Sequence, residues 1–399
     1  MPPFDRRRLL SAAGLALVTG AGRGLARTVD LPFDNGTRPL VRLPQKREMI
    51  LLTARPPQLE TPFSVFNTGI ITPNDAFFVR YHLSGLPTEI DPATFRLTIA
   101  GHVERPLSLS LASLKRDFPA TEVVAVNQCS GNSRGFVEPR VGGGQLGNGA
   151  MGNARWRGVP LRALLDRAGI RAGAVEVTFN GLDTPPAETV PDFIKALDLD
   201  HARDGEVMVA YAMNGTDLPL LNGFPLRLVV PGYYGTYWVK HLNEITVRDS
   251  AFDGYWMKTA YRVPDTACAC VAPGEKPTAT RPISRMNVRS FVTSHADGAR
   301  VAAGRTEVLR GIAFSGGEGV ARVMVSTDGG QVWQEARLGE DLGGYSFREW
   351  QAGVVLPPGR HRVMVRATTR DGETQPLEPR WQPAGYMRNV VETVLVEAV

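Results

Sequence analysis

The strongest constraint on how this chain folds is a change of pattern near residue 270. Before it, short apolar runs with helical and strand spacing are separated by glycine turns. After it, only strand alternation and tight turns remain. Thr94 to Ile99, Glu122 to Val126, Val175 to Phe179, Val207 to Tyr211 and Leu226 to Val230 read as strands. Leu161 to Ala168 places Leu161, Leu164 and Leu165 on one helical face, and Gly169 is positioned to end that helix. Periodicity is lost over 262–282, where Pro273, Gly274 and Pro277 mark a connecting segment. Beyond it, Arg322 to Ser326 alternates, Asp328-Gly329-Gly330 turns and Val332-Trp333 begins a return strand. His361 to Ala367 alternates again, Asp371-Gly372 turns, and Val390 to Val396 forms a last strand. A chain of 399 residues exceeds one ordinary core. The expectation is an α+β domain over 27–262, a linker over 263–282 and an all-β sandwich over 283–399.

The N-terminus reads as an address. Arg6-Arg7-Arg8 precedes Leu9-Leu10, a short apolar stretch runs from Ala12 to Val18, and small residues follow to Ala26. This is the layout of a signal peptide, and the paired arginines fit a twin-arginine signal over 1–26. That route moves folded proteins, so it predicts a periplasmic protein loaded with its cofactor before export. The 45 Lys and Arg against 40 Asp and Glu give a formal +5. Arg6, Arg7, Arg8 and Arg23, less Asp5, account for +3 of it, leaving about +2 for the mature chain. No basic run with interleaved aromatics remains, which argues against nucleic-acid binding. No apolar run approaches the ~20 residues of a membrane span.

Three cysteines, Cys129, Cys268 and Cys270, do not make a disulfide scaffold. Cys268 and Cys270 are too close for an ordinary bridge, though a strained one is possible, and at least one thiol is left unpaired. No C-x-x-C-H occurs, so no covalent haem is expected in this chain, and no cysteine spacing suits zinc or iron–sulfur clusters.

Cys129 follows the apolar run Val123 to Val126 and opens onto Gly131 and Arg134. A strand-end thiol beside a cation is a good ligand or nucleophile. Spacing alone leaves that reading open against a buried structural cysteine. Further segments of the same polar, glycine-rich character are Phe77-Phe78-Val79-Arg80-Tyr81-His82, Gly152 to Trp156, Phe179 to Asp183, Tyr211 to Gly215, Gly223 to Arg227, and Pro231 to Lys240.

Together these segments resemble the sulfite oxidase family of molybdopterin enzymes, in particular its bacterial periplasmic dehydrogenases. The resemblance rests on Arg-x-His after paired phenylalanines, on Cys-x-Gly-Asn-x-Arg at 129–134, and on the remaining segments in family order. It continues through Val325 to Trp333, which is similar to part of the family's dimerisation domain, and it covers nearly the whole mature chain. It implies a sulfite oxidase fold followed by an immunoglobulin-like sandwich, and oxidation of sulfite to sulfate at a molybdenum–molybdopterin centre. Cys129 would then be the protein's metal ligand, a soft thiolate. Arg80 and Arg134 match anion-binding arginines, whose planar donors suit an oxyanion. His82 matches a residue beside cofactor and substrate, and Tyr261 matches the active-site tyrosine. Arg155, Asp183, Arg227 and Lys240 are the expected contacts to the pterin and its phosphate. Asn222, where a histidine is expected, and Leu146, where a tryptophan is expected, depart from the vertebrate pattern.

With no haem site of its own, the chain is expected to pass electrons singly to a c-type cytochrome, as a subunit or a diffusing acceptor. A homodimer through the C-terminal domain is the other implied assembly. Two competing readings are a periplasmic molybdopterin reductase, for instance of methionine sulfoxide, and a non-enzymatic exported binding protein. The set Arg80, His82, Arg134 and Tyr261 favours sulfite over the first, and molybdenum content separates the second.

Overall fold

The computed structural model describes residues 27–30 and 36–399, so the expected signal at 1–26 lies outside the described residues. The N-terminal half is dominated by strands. Its helices are short, Leu111–Asp117 and Leu161–Ala168 being the longest of them. Frequent glycine and proline, which interrupt helical runs, account for a smaller helical share than the alternating signals suggest. In Leu161–Ala168 the residues Leu161, Leu164, Leu165 and Ala168 are buried. Gly169 ends this helix at φ 72°, with its N–H on the Leu165 carbonyl at 3.0 Å. The Leu111–Asp117 helix, not expected from spacing, is started by the Ser110 hydroxyl accepting from the Ser113 N–H.

Three sheets position the site. The first is an antiparallel meander ending in Pro57–Glu60 and Val79–Arg80, which places Arg80 opposite Gln58. None of its strands was apparent from alternation. The second has the order Lys195–Asp198, Glu176–Gly181, Leu242–Arg248, Arg96–Gly101, Leu107–Ser110, with one parallel pair between Leu242–Arg248 and Arg96–Gly101. The third runs Thr216–Asp217, Met208–Met213, Met151–Pro160, Thr121–Gln128, with Arg227–Val229 paired to Met208–Met213.

The connecting segment is not wholly irregular: its ends, Arg262–Pro264 and Thr280–Pro282, pair as an antiparallel ribbon. Cys268 and Cys270 within it are joined by a disulfide, and Cys129 is the free cysteine. The C-terminal part is mostly strand. One sheet is Arg289–Val292, Thr306–Phe314, Arg348–Val355, Arg337–Leu338; the other is Ala299–Val301, Glu392–Ala398, Gly359–Thr369, Val320–Ser326, Gln334–Glu335. Val323, Val365 and Val396 from one and Leu309 and Trp350 from the other share a core. Among the described residues, no helix is long and apolar enough to cross a membrane.

The main core continues across both parts of the chain. Phe63 packs on Phe291 with centroids 5.5 Å apart, Phe66 on Phe347 at 6.0 Å, and Phe347 on Phe314 at 5.3 Å. Phe347 is 1% exposed. Phe347→Ala is therefore expected to cost about 3–5 kcal/mol of unfolding free energy, read by urea denaturation.

Candidate active site

The loop after Thr121–Gln128 is built to hold a thiol in a fixed place. The Cys129 N–H donates to Ala150 O (2.9 Å), and the Asn132 and Arg134 N–H groups close two successive turns onto Cys129 O and Gly131 O. The Asn132 side-chain oxygen accepts from the Ala150 N–H at 2.9 Å. A Cβ at Gly131 would lie 2.7 Å from the Arg134 guanidinium, so a larger residue there would require that side chain to shift. Cys129 is 8% exposed, which is less open than its strand-end position suggested.

A cavity opens beside this thiol. The structure brings Arg80, His82, Cys129, Arg227, Lys240 and Tyr261 together in its wall. The His82 Nε2 and the Tyr261 hydroxyl are hydrogen-bonded. The His82 ring stacks on Phe193 with centroids 3.9 Å apart. Burial first, then the charges of Arg80, Lys240 and Lys195, hold the His82 pKa well below the usual range, so the imidazole is neutral. Burial pushes the Tyr261 phenol upward, with Arg80 opposing it, so the phenol keeps its proton. Tyr261 sits at φ 59°, a left-handed conformation that costs an aromatic residue energy. The Ile283 N–H on Tyr261 O (2.9 Å) anchors it.

Arg227 and Lys240 face each other across a β-bridge. Lys240 Nζ donates to Arg80 O at 2.8 Å, and Arg227 Nη1 to Asn222 O at 3.0 Å. Burial lowers Lys240 to about 7, with Arg227 adding to the effect and Asp183 opposing it. Burial lowers Arg227 to about 10. Asn222 is a junction of this wall. Its amide donates to Phe78 O at 3.1 Å, and its side-chain oxygen accepts from the buried Lys46 at 2.6 Å.

The cavity wall is also short of partners. Both side-chain polar atoms of Asn127, the hydroxyls of Ser130 and Thr236, and Arg227 Nε are buried without a hydrogen bond. Folded proteins leave few such groups. Several around one cationic cavity beside a thiol fit an anionic, polar, sulfur-bearing group such as a molybdopterin. Cys129 would ligate its metal, and Arg227 and Lys240 would hold its phosphate.

Three expected contacts lie elsewhere. Arg155 faces solvent, 3.6 Å from Glu122, because it alternates with buried Ala154 and Trp156 on one strand. It is not among the residues lining this cavity. Arg134 does not line the cavity: its Nε donates to Ala384 O (2.9 Å) and its Nη1 to Gly144 O (3.1 Å). Asp183 is buried outside the lining, facing Lys240, and burial raises its carboxyl pKa. Leu146 is a core residue, 3% exposed.

Two buried lysines escaped sequence reading, since an isolated lysine reads as a surface residue. Lys46 donates to Asn74 O, Phe77 O and Asn222 Oδ1 at 2.6–2.8 Å. Lys195 donates to Trp256 O at 2.6 Å and lies 4.6 and 5.2 Å from the Tyr237 and Tyr261 ring centroids. Burial lowers Lys195 from 10.5 to about 7. A lowered lysine pKa means that the folded chain binds fewer protons than the unfolded one between pH 7 and 10.5, so stability rises with pH across that window. Lys46 and Lys240 are lowered in the same way, so Lys195→Met is expected to make this rise shallower by at most about 1.4 kcal/mol per pH unit in urea unfolding of the two chains.

Family models match most of the chain: an oxidoreductase molybdopterin binding domain over 83–256 and a Mo-co oxidoreductase dimerisation domain over 280–398. The chain is 35% identical over 353 residues to sulfite oxidase of Gallus gallus, covering 84% of this chain and 74% of that one. It belongs to the sulfite oxidase family. Mitochondrial sulfite oxidase of Mus musculus is 35% identical over 367 residues, covering 86% of this chain. This chain spans 65% of the mouse enzyme's length. A nitrate reductase of Solanum lycopersicum is 32% identical, covering 86% of this chain and 40% of that one. Among solved structures, the sulfane dehydrogenase SoxCD of Paracoccus pantotrophus superposes with a TM-score of 0.76 at 26% identity, covering 97% of this chain and 94% of that one. As a member of this molybdopterin family, the chain presents Cys129 in the matched molybdopterin-binding domain.

Proposed function

We propose that this chain oxidises sulfite to sulfate at a molybdenum–molybdopterin centre held by Cys129. The observation that carries the proposal is that one cavity is lined by the Cys129 thiol, the Arg80 guanidinium and the Tyr261–His82 pair. When bound, the cofactor supplies oxygen-atom transfer and takes up the two electrons released. The overall change is sulfite plus water giving sulfate, two protons and two electrons. Arg80 attracts and orients the sulfur oxyanion. The neutral His82 accepts or donates at Nε2, which keeps one proton between it and the Tyr261 oxygen next to the substrate. Buried rings of Phe193, Trp238 and Tyr261 keep the wall dry, which strengthens these contacts.

The electrons pass singly to a c-type cytochrome, and export by the twin-arginine route places the protein in the periplasm. The C-terminal part is an immunoglobulin-like sandwich that pairs two copies or seats a haem subunit. A second reading, sulfane-sulfur oxidation, is favoured by the likeness to SoxCD and by the withdrawal of Arg134 from the cavity. The test is anaerobic assay of molybdenum-loaded protein with ferricyanide. Two ferricyanide reduced per sulfite, with sulfate as product, supports the proposal. Reduction by a persulfide but not by sulfite would support the second reading, and no reduction by either would sink both.

A further inference from the structure

The segment Gln382 to Met387 reaches back from the C-terminal part and is fastened over the site. The Met387 N–H donates to Ser130 O at 3.2 Å, the residue after Cys129. Asn287 Nδ2 donates to Met387 O at 3.1 Å, and Gln382 Nε2 to Tyr386 O at 2.9 Å. Gly385 and Met387 both take left-handed backbone, at φ 60° and 61°. These two bends flank Tyr386 and aim its ring inward.

That ring meets two groups of opposite character. It stacks on Tyr261, with centroids 5.3 Å apart and planes at 10°. The Arg134 guanidinium also sits over it, 5.0 Å from its centroid. Among the described residues, the Tyr386 hydroxyl has no hydrogen-bond partner. The guanidinium of Arg134 is thus held by carbonyls of Ala384 and Gly144 and by the Tyr386 ring, which also stacks on Tyr261.

The geometry points to Tyr386 as the residue that sets oxyanion selectivity, by screening Arg134 from the cavity and leaving Arg80 as the cation that meets substrate. This deepens the sulfur-oxyanion reading of the site and rests on it. With one arginine withdrawn, the site holds a doubly charged oxyanion less tightly than two arginines would. Removing the Tyr386 ring releases Arg134 towards the cavity, so a dianion should bind more tightly.

The test is calorimetric binding of sulfate to the loaded protein, with sulfite KM measured separately. Tyr386→Ala is expected to tighten sulfate about fivefold or more and to lower the sulfite KM in parallel, since contact between a guanidinium and an aromatic face is of that size. Tyr386→Phe keeps the stack and should retain the original affinity. Arg134→Gln in the Tyr386→Ala background should cancel the gain, and Tyr386→Leu gives the same release if the alanine chain does not fold. Sulfate affinity unmoved or weakened in both the alanine and leucine chains, or no sulfate binding in any variant, would overturn the inference. A gain that survives Arg134→Gln would overturn it too. If sulfate binding responds as stated but sulfite is not turned over, the proposed activity fails and the role of Tyr386 stands.

Discussion

Cys129→Ser is expected to abolish sulfite-dependent ferricyanide reduction, with turnover at least about 10³-fold lower. Removing a side chain that acts directly in the chemistry typically costs an enzyme this much or more. The reasoning is chemical. A thiolate is a soft, strongly donating ligand, and a serine alkoxide is hard and requires far more to deprotonate. The Cys129 backbone is pinned by the Ala150 and Asn132 bonds, so the substitution changes the donor atom without moving it. The expected protein is folded, with pterin retained through Arg227 and Lys240, and inactive. Turnover by the serine chain within tenfold of the parent would remove Cys129 from the account.

The second large effect is at Arg80. Of the cations in the wall, Lys240 spends a proton on Arg80 O and Arg227 is bound to Asn222 O, both on the side of the expected pterin phosphate. Arg134 is held over the Tyr386 ring, outside the cavity lining. Arg80, whose Nη1 donates to Tyr81 O, lines the cavity with the His82–Tyr261 pair and is the cation proposed to meet the substrate oxyanion. Losing one charged partner from a buried contact costs about 2–5 kcal/mol, so Arg80→Gln should lower kcat/KM for sulfite roughly 10²-fold or more. Arg80→Lys keeps the charge and loses the planar fork, and should fall between the two. Steady-state kinetics at fixed ionic strength reads both. If Arg80→Gln left kcat/KM unchanged, the oxyanion would have to bind elsewhere in the cavity.

The places where sequence reading succeeded and failed follow from what each signal encodes. The helix Leu161–Ala168 was legible because three leucines at helical spacing met a glycine that could adopt positive φ. The strands of the C-terminal part were legible because one face is buried and the other wet, which writes alternation into the sequence. The first sheet was not, because the run Glu48–Ala54 has no clean alternation and its neighbours are partly exposed on both faces. At the site, local motifs identified residues whose role depends on a single loop, such as Cys129. They could not decide orientation. Arg155 sits in a matching motif, yet strand alternation turns it outward. Arg134 lies five residues from Cys129, but its surroundings are set by Ala384 and Tyr386, some 250 residues away. Lys46, Lys195 and Glu60 are buried polar groups whose cost is met only by partners distant in sequence. Glu60, for example, accepts from the Gly147 and Gly149 N–H groups at 2.9 and 3.1 Å. No local pattern records such a contact.

The measurement closest to the central claim is a single-turnover titration of oxidised, molybdenum-loaded protein with sulfite under anaerobic conditions, followed by absorption. The account predicts that one equivalent of sulfite reduces the metal centre of one chain and yields one sulfate, and that the Cys129→Ser chain shows no such change. A fully loaded protein whose spectrum is indifferent to excess sulfite would contradict it.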